Sequence, residues 1–134
     1  MSQEQVEIVR AHLGAFRSLQ DAPRTVSFFD PHVVLDLSRT GGDQDAIYGP
    51  EAIVEFMRHW IGAFADYRWE IERLADLGPG AVLAVSRETG RGKGSGVPVS
   101  RTFAVLYTVI EGKIARATVF RSEQDALEAA GLSE

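Results

Sequence analysis

Cysteine is absent from this 134-residue sequence, which excludes disulfides, thiol nucleophiles and thiolate metal sites. Histidine is scarce, and the three present do not cluster. Glu55 and His59 stand one helical turn apart in "EFMRH", but this is not the two-histidine zinc pattern; it reads as a surface pair, and no metal site is expected. Basic charge is short too. Fourteen Lys and Arg against nineteen Asp and Glu leave a formal net charge of −5, which argues against a nucleic-acid groove and, more weakly, against anionic membranes. No apolar run approaches the length needed to span a bilayer, so no membrane partner is expected. The opening "MSQEQVEIVRAHL" has no apolar core of signal-peptide type, and cytoplasmic residence is the expectation. "TGRGKGSGVP" offers glycines with Arg91 and Lys93. A phosphate cradle has to open a helix, whereas strand-like runs flank this loop, so it reads as a hairpin tip. With no nucleotide motif, the expectation is that no cofactor is used.

What is present is ordinary for one soluble domain covering residues 1–134: 45% hydrophobic and 25% charged residues. A chain of this length buries roughly two-thirds of its unfolded surface. Val6, Val9, Leu13 and Phe16 recur at spacings of three and four, which predicts an amphipathic helix over residues 3–20. "DAPRTVSFFDPH" predicts a short second helix stopped by Asp30-Pro31. A strand follows at 32–38, then the polar loop "RTGGDQDAIYG". Pro50 and Glu51 suit the start of a third helix, whose Ile53, Phe56, Met57, Trp60, Ile61 and Phe64 form a broad apolar face. Four strand-like runs come next, at 67–76, 81–90, 99–110 and 113–121, followed by a short helix over 123–130 that Gly131 closes. Three helices with one strand interposed, then four mostly antiparallel strands, predict an α+β fold: a curved sheet wrapped around helices. "RTFAVLYTVI" is apolar on both faces, so something must cover the sheet on its outer side, and a second copy of the chain is one candidate.

"VVLDLSR" poses the functional question. Val33, Leu35 and Leu37 share one face of a strand, and Val34, Asp36 and Ser38 the other. Either Asp36 meets solvent or it faces an enclosed space as a purposeful carboxylate.

"FFDPHVVLDLSR", "YGPEAIVEFMRHW" and "EGKIARATVF" leading into "ALEAAGL" resemble the NTF2-like superfamily, and within it the SnoaL-like and ketosteroid-isomerase-like proteins. The likeness covers nearly the whole chain. It implies an NTF2-like (cystatin-like) cone with an internal pocket for a small apolar or mixed-polarity organic molecule, and homodimers, often formed through the outer face of the sheet. It also implies a proton-transferring role for Asp36, which falls where the isomerases carry their general base; an apolar pocket would raise its pKa toward neutrality. The oxyanion donors of those isomerases are not matched. The first-helix region reads His12-Leu13 in place of a tyrosine, and the late strand "FAVLY" has no acid, so steroid isomerisation is not the expected reaction. Where the SnoaL cyclases place an acid, this chain has "VFRS", with Arg121 at or beside the position.

The resulting expectations are specific. Asp36 is the candidate catalytic residue for cofactor-independent isomerisation, cyclisation, dehydration or water addition. Phe56, Trp60, Phe103 and Tyr107 are candidate apolar walls, as is Trp69, although such stripes are more often plain core. Arg121 would either hold a substrate anion or pair with Asp36 across the pocket. His12 reads as a helix-face residue. Glu88 and Arg101 read as a surface pair worth under about 1 kcal/mol; facing inward, they would be polar anchors at the pocket rim. The rival reading is a non-catalytic ligand carrier or interaction module in which Asp36 belongs to a structural ion pair.

Overall fold

The computed structural model describes residues 2–16, 22–43 and 45–131. Helix α1 (Ser2–Phe16) and helix α2 (Ala22–Ser27) lead into strand β1 (Phe29–Asp36) and a three-residue strand β2 (Ala46–Tyr48). Helix α3 (Pro50–Gly62) precedes four long strands, β3 (Phe64–Asp76), β4 (Ala81–Gly92), β5 (Pro98–Ile110) and β6 (Lys113–Phe120), and helix α4 (Glu123–Ala129) follows. Six strands form one curved, unclosed sheet in the order β2-β1-β6-β5-β4-β3. All neighbours are antiparallel except β1 and β6, which run parallel.

The elements follow from local chemistry. Gly49, at φ 94°, supplies the positive backbone angle from which α3 starts; Pro50 then needs no helical amide partner, and Glu51 faces the positive end of the dipole. The "EGK" hairpin places Glu111 and Gly112 at φ 51° and 80°, the left-handed pair that a two-residue turn requires. Sheet curvature enters at β3, whose register with β4 shifts between Ala65 and Arg68 and again between Ile71 and Arg73. Gly90 makes room for the first shift: a Cβ there would sit 3.2 Å from the Phe64 Cβ and 3.3 Å from the Ala65 carbonyl oxygen.

Two expectations are corrected. The second helix does not run to Asp30-Pro31; it ends at Ser27, and Phe29 already opens β1. Pro31 is tolerated because the β1–β6 register breaks between Phe29 and Val34, where no ladder amide is needed. The loop "RTGGDQDAIYG" hides β2, which pairs Val34 with Tyr48 and Asp36 with Ala46; three residues are too few to show a period-two pattern. Of the first helix, residues 17–20 lie outside the described residues.

The core has two parts, one on each face of the sheet. On the concave face, Val9, Leu13, Val33, Ile53, Val82, Ala84 and Val105 pack beneath α1 and α3. On the outer face, Leu83, Val85, Ala104 and Phe120 are closed over by Ala126, with Leu127 alongside. The outer cover of these residues is therefore the chain's own α4, held at its start by Ser122, which accepts the Asp125 amide, and by the Arg73–Glu123 ion pair. On β5, Ala104 is thus covered within one chain, while Ile110 at the end of the strand stays exposed. Among the described residues, no helix is long and apolar enough to cross a membrane.

Gln5 ties α1 to the β3–β4 turn. Its amide donates to Gly78 O at 2.7 Å and Asp76 Oδ2 at 3.1 Å, while its carbonyl accepts the Gly80 amide at 2.9 Å. Gln5→Ala leaves these partly buried groups without partners and is expected to cost about 1–2 kcal/mol in urea unfolding.

Candidate functional site

The concave face of the sheet and α3 enclose a cavity of about 490 Å³. Its walls come from side chains whose parity turns them inward. Val33, Leu35 and Leu37 enter from β1, Phe103 and Val105 from β5, and Phe56, Met57 and Trp60 from one side of α3. The three α3 residues stay partly exposed inside the fold because the surface they present is cavity wall.

One buried carboxylate breaks this apolar lining. Glu88 on β4 is 3% exposed. Its Oε1 accepts the Trp60 indole N–H at 3.0 Å and the Tyr67 hydroxyl at 2.7 Å, and its Oε2 accepts Arg101 Nε. Glu88 and Arg101 are direct partners across the β4–β5 ladder. The Arg101 guanidinium lies over the Trp60 ring at 5.2 Å and the Phe103 ring at 5.6 Å, so its charge is held by aromatic faces as well as by the carboxylate. Burial first, then the hydrogen bond and charge of Glu88, push the Tyr67 phenol well above its ordinary pKa, and it remains a protonated donor. Glu88, Trp60, Tyr67 and Arg101 all line the cavity. The pair read from sequence as surface electrostatics is thus an inward-facing polar cluster.

His12 is a second departure from expectation. It is 1% exposed, lines the cavity, and packs its ring 4.8 Å from Phe29 and 6.1 Å from Tyr107, centroid to centroid. Burial pushes its pKa down to about 4, opposed by a hydrogen bond with the Thr25 backbone, so the imidazole is neutral at physiological pH.

Of the residues singled out in the sequence, the structure brings Phe56, Trp60, Phe103 and Trp69 together around the cavity and leaves three outside it. Asp36 points to the opposite face of β1 from Val33, Leu35 and Leu37. There it accepts from Arg116 at 2.6 Å and from the Ser38 hydroxyl and amide at 2.7 and 2.9 Å. Partial burial pushes its carboxyl up, but the Ser38 bonds and the Arg116 guanidinium outweigh this and hold it below the ordinary carboxylate value. The geometry gives Asp36 no access to a molecule in the cavity. Its partner is Arg116, not Arg121, which is exposed and lies against the Gly41 turn. Tyr107 is buried behind the wall, against His12. Asp36→Asn is accordingly expected to leave cavity binding unchanged and to cost no more than about 1 kcal/mol, checked by ligand titration beside urea unfolding.

Among the described residues, no group of three or more His, Asp or Glu is placed to hold a metal ion. The chemistry on offer is that of Glu88 and its donors, the neutral His12 and the aromatic walls.

A curved sheet closed by helices over a ligand-sized cavity defines the NTF2-like class of α+β proteins. The SnoaL-like domain model matches residues 9–117, and the chain belongs to that family. No curated protein matches the sequence. Among solved structures, a protein of Jannaschia sp. CCS1, provisionally named a SnoaL-like polyketide cyclase, superposes with a TM-score of 0.76 at 18% identity, covering 98% of this chain and 94% of its own. TerC, co-crystallised with polyporic acid, gives 0.73 at 18% identity, with 96% and 97% covered. A protein with a ketosteroid isomerase-like fold from Catenulispora acidiphila DSM 44928, in complex with trimethylamine, gives 0.72 at 19% identity, with 94% and 93% covered. Likeness at these identities is a likeness of fold.

Proposed function

We propose that this protein binds a small, largely apolar organic molecule in the cavity, and that Glu88 rather than Asp36 is the carboxylate that meets it. The observation that carries the reading is a buried, hydrogen-bonded carboxylate set into the largely apolar wall of a 490 Å³ space. Ligand sites of this size are typically apolar with a few fixed polar groups that orient the occupant. The small molecules bound by TerC and by the Catenulispora protein lend support from the same fold. The test is a thermal-shift and calorimetric screen of planar ketones, enols and aromatic acids. Compounds that bind are expected to lose affinity when Phe56→Asp puts a charge into the wall; a screen in which nothing binds would sink the reading.

Glu88 favours a second, catalytic reading. An ionised carboxylate has about four acceptor sites. Trp60, Tyr67 and Arg101 take three, which leaves one on Oε2 to receive a proton from a bound molecule. Proton transfer next to a carbonyl needs such a fixed base and a donor for the developing enolate oxygen, a part that falls to Arg101 beside Glu88. The expected result is deuterium exchange at the carbon beside the carbonyl of a bound ketone, followed by NMR in deuterated water. Glu88→Gln should abolish the exchange without abolishing binding; exchange that survives the substitution would remove Glu88 from the chemistry.

A further inference from the structure

We infer that Arg101 is an anion anchor and that the molecule the cavity takes is planar and acidic, presenting a carboxylate or enolate to the guanidinium. The inference rests on the binding reading above and adds the charge of the ligand. Glu88 and Arg101 are opposite charges of one cluster, yet they differ in what they have left to bond. Glu88 is buried and accepts three hydrogen bonds. Arg101 uses only Nε in that cluster, and among the described residues neither terminal nitrogen meets an acceptor. Its side chain is 49% exposed while lining the cavity, which places the guanidinium at the open side with both terminal nitrogens available.

The planes on either side fix how an anion would arrive. Trp60 and Phe103 hold the guanidinium 5.2 and 5.6 Å from their ring centroids, so the fork is oriented before any ligand binds. A planar guanidinium held this way matches the two oxygens of a carboxylate, and charge-assisted bonds of that kind are among the strongest in a protein. An acid group on the terminal nitrogens directs the body of the ligand along the aromatic walls that Phe56 and Phe103 supply. An amine would find three of the about four Glu88 acceptor sites taken and the Arg101 charge in its way. A neutral hydroxyl or carbonyl would offer the terminal nitrogens a single uncharged acceptor in place of two charged oxygens.

Three naphthalene probes of one shape separate these cases: the 2-carboxylate, the 2-methanol and the 2-methylamine, titrated calorimetrically into the whole protein at fixed ionic strength. The carboxylate is expected to bind about 10- to 100-fold tighter than the alcohol. Arg101→Gln combined with Glu88→Gln removes both charges at once; there the carboxylate should bind no tighter than the alcohol. Arg101→Lys keeps a partner for Glu88 but loses the planar fork, and should lower the preference several-fold. Equal binding of carboxylate and alcohol, tightest binding of the amine, or a preference untouched by Arg101→Lys would each overturn the anchor. Failure of all three probes to bind would overturn the cavity reading and the anchor with it, so the two failures are distinguishable.

Discussion

An Arg101→Met variant is expected to lose about 3 kcal/mol of stability at neutral pH, and to recover most of it when Glu88→Gln is added. The loss comes less from the missing attraction than from what remains. Glu88 is 3% exposed, so without Arg101 a charge stays buried with only the Trp60 and Tyr67 donors to compensate it. Half of the Arg101 side chain meets solvent, which screens the pair and sets the expected cost at the lower end for a broken buried ion pair. The Glu88→Gln substitution in the second variant removes the stranded charge and keeps an acceptor for the indole and the phenol. Urea unfolding of the wild type, both single variants and the double variant closes a thermodynamic cycle. A double variant no more stable than Arg101→Met alone would show that packing of the guanidinium on Trp60 and Phe103, not charge, is what the arginine contributes.

The second large effect is a pH dependence. His12 is held neutral down to about pH 4, whereas in the unfolded chain it titrates near 6.5. Between these values the unfolded chain binds a proton that the folded one does not, so stability falls as pH drops through that window and is fully present above it. At 1.36 kcal/mol per pH step, the loss from this one group reaches about 2 kcal/mol at pH 5. A His12→Gln variant carries no titrating group there. The difference in unfolding free energy between about pH 7.5 and pH 5 should shrink by roughly that amount relative to the wild type. An undiminished difference would mean that His12 is not the residue that sensitises the fold to acid.

The fold was legible because its signals are long. Val6, Val9 and Leu13 mark α1, the Gly-Pro-Glu start marks α3, and four strand runs separated by glycine turns mark most of the sheet. The candidate site was legible only in part. The aromatic residues of α3 reached the cavity because a helix has one broad apolar face and that face has to point inward. The resemblance turns Asp36 inward, whereas plain alternation in β1 puts Val33, Leu35 and Leu37 in and Asp36 out, and the structure follows alternation. Glu88 was hidden for a different reason. Its own parity contains Val82 and Ala84, but the opposite parity contains Leu83 and Val85, and α4 buries those as thoroughly as the cavity side is buried. A strand apolar on both faces gives no direction to its one acid. The clue that was available is the register: Glu88 opposite Arg101, two residues from Phe103 on the cavity side.

The parallel pairing of β1 with β6 has a consequence for how the chain is made. Asp36 and Arg116 meet although they lie 80 residues apart in sequence. At about 5–20 residues per second, a ribosome needs roughly 4–16 s to cover that interval, and until then β1 has only the three-residue β2 beside it. The central strand order cannot be completed until β6 has emerged, and contacts this distant in sequence form slowly. The part of the cavity wall that β1 supplies therefore spends those seconds as an apolar strand edge in the crowded exit vestibule, the stage at which a chaperone would have most to shield.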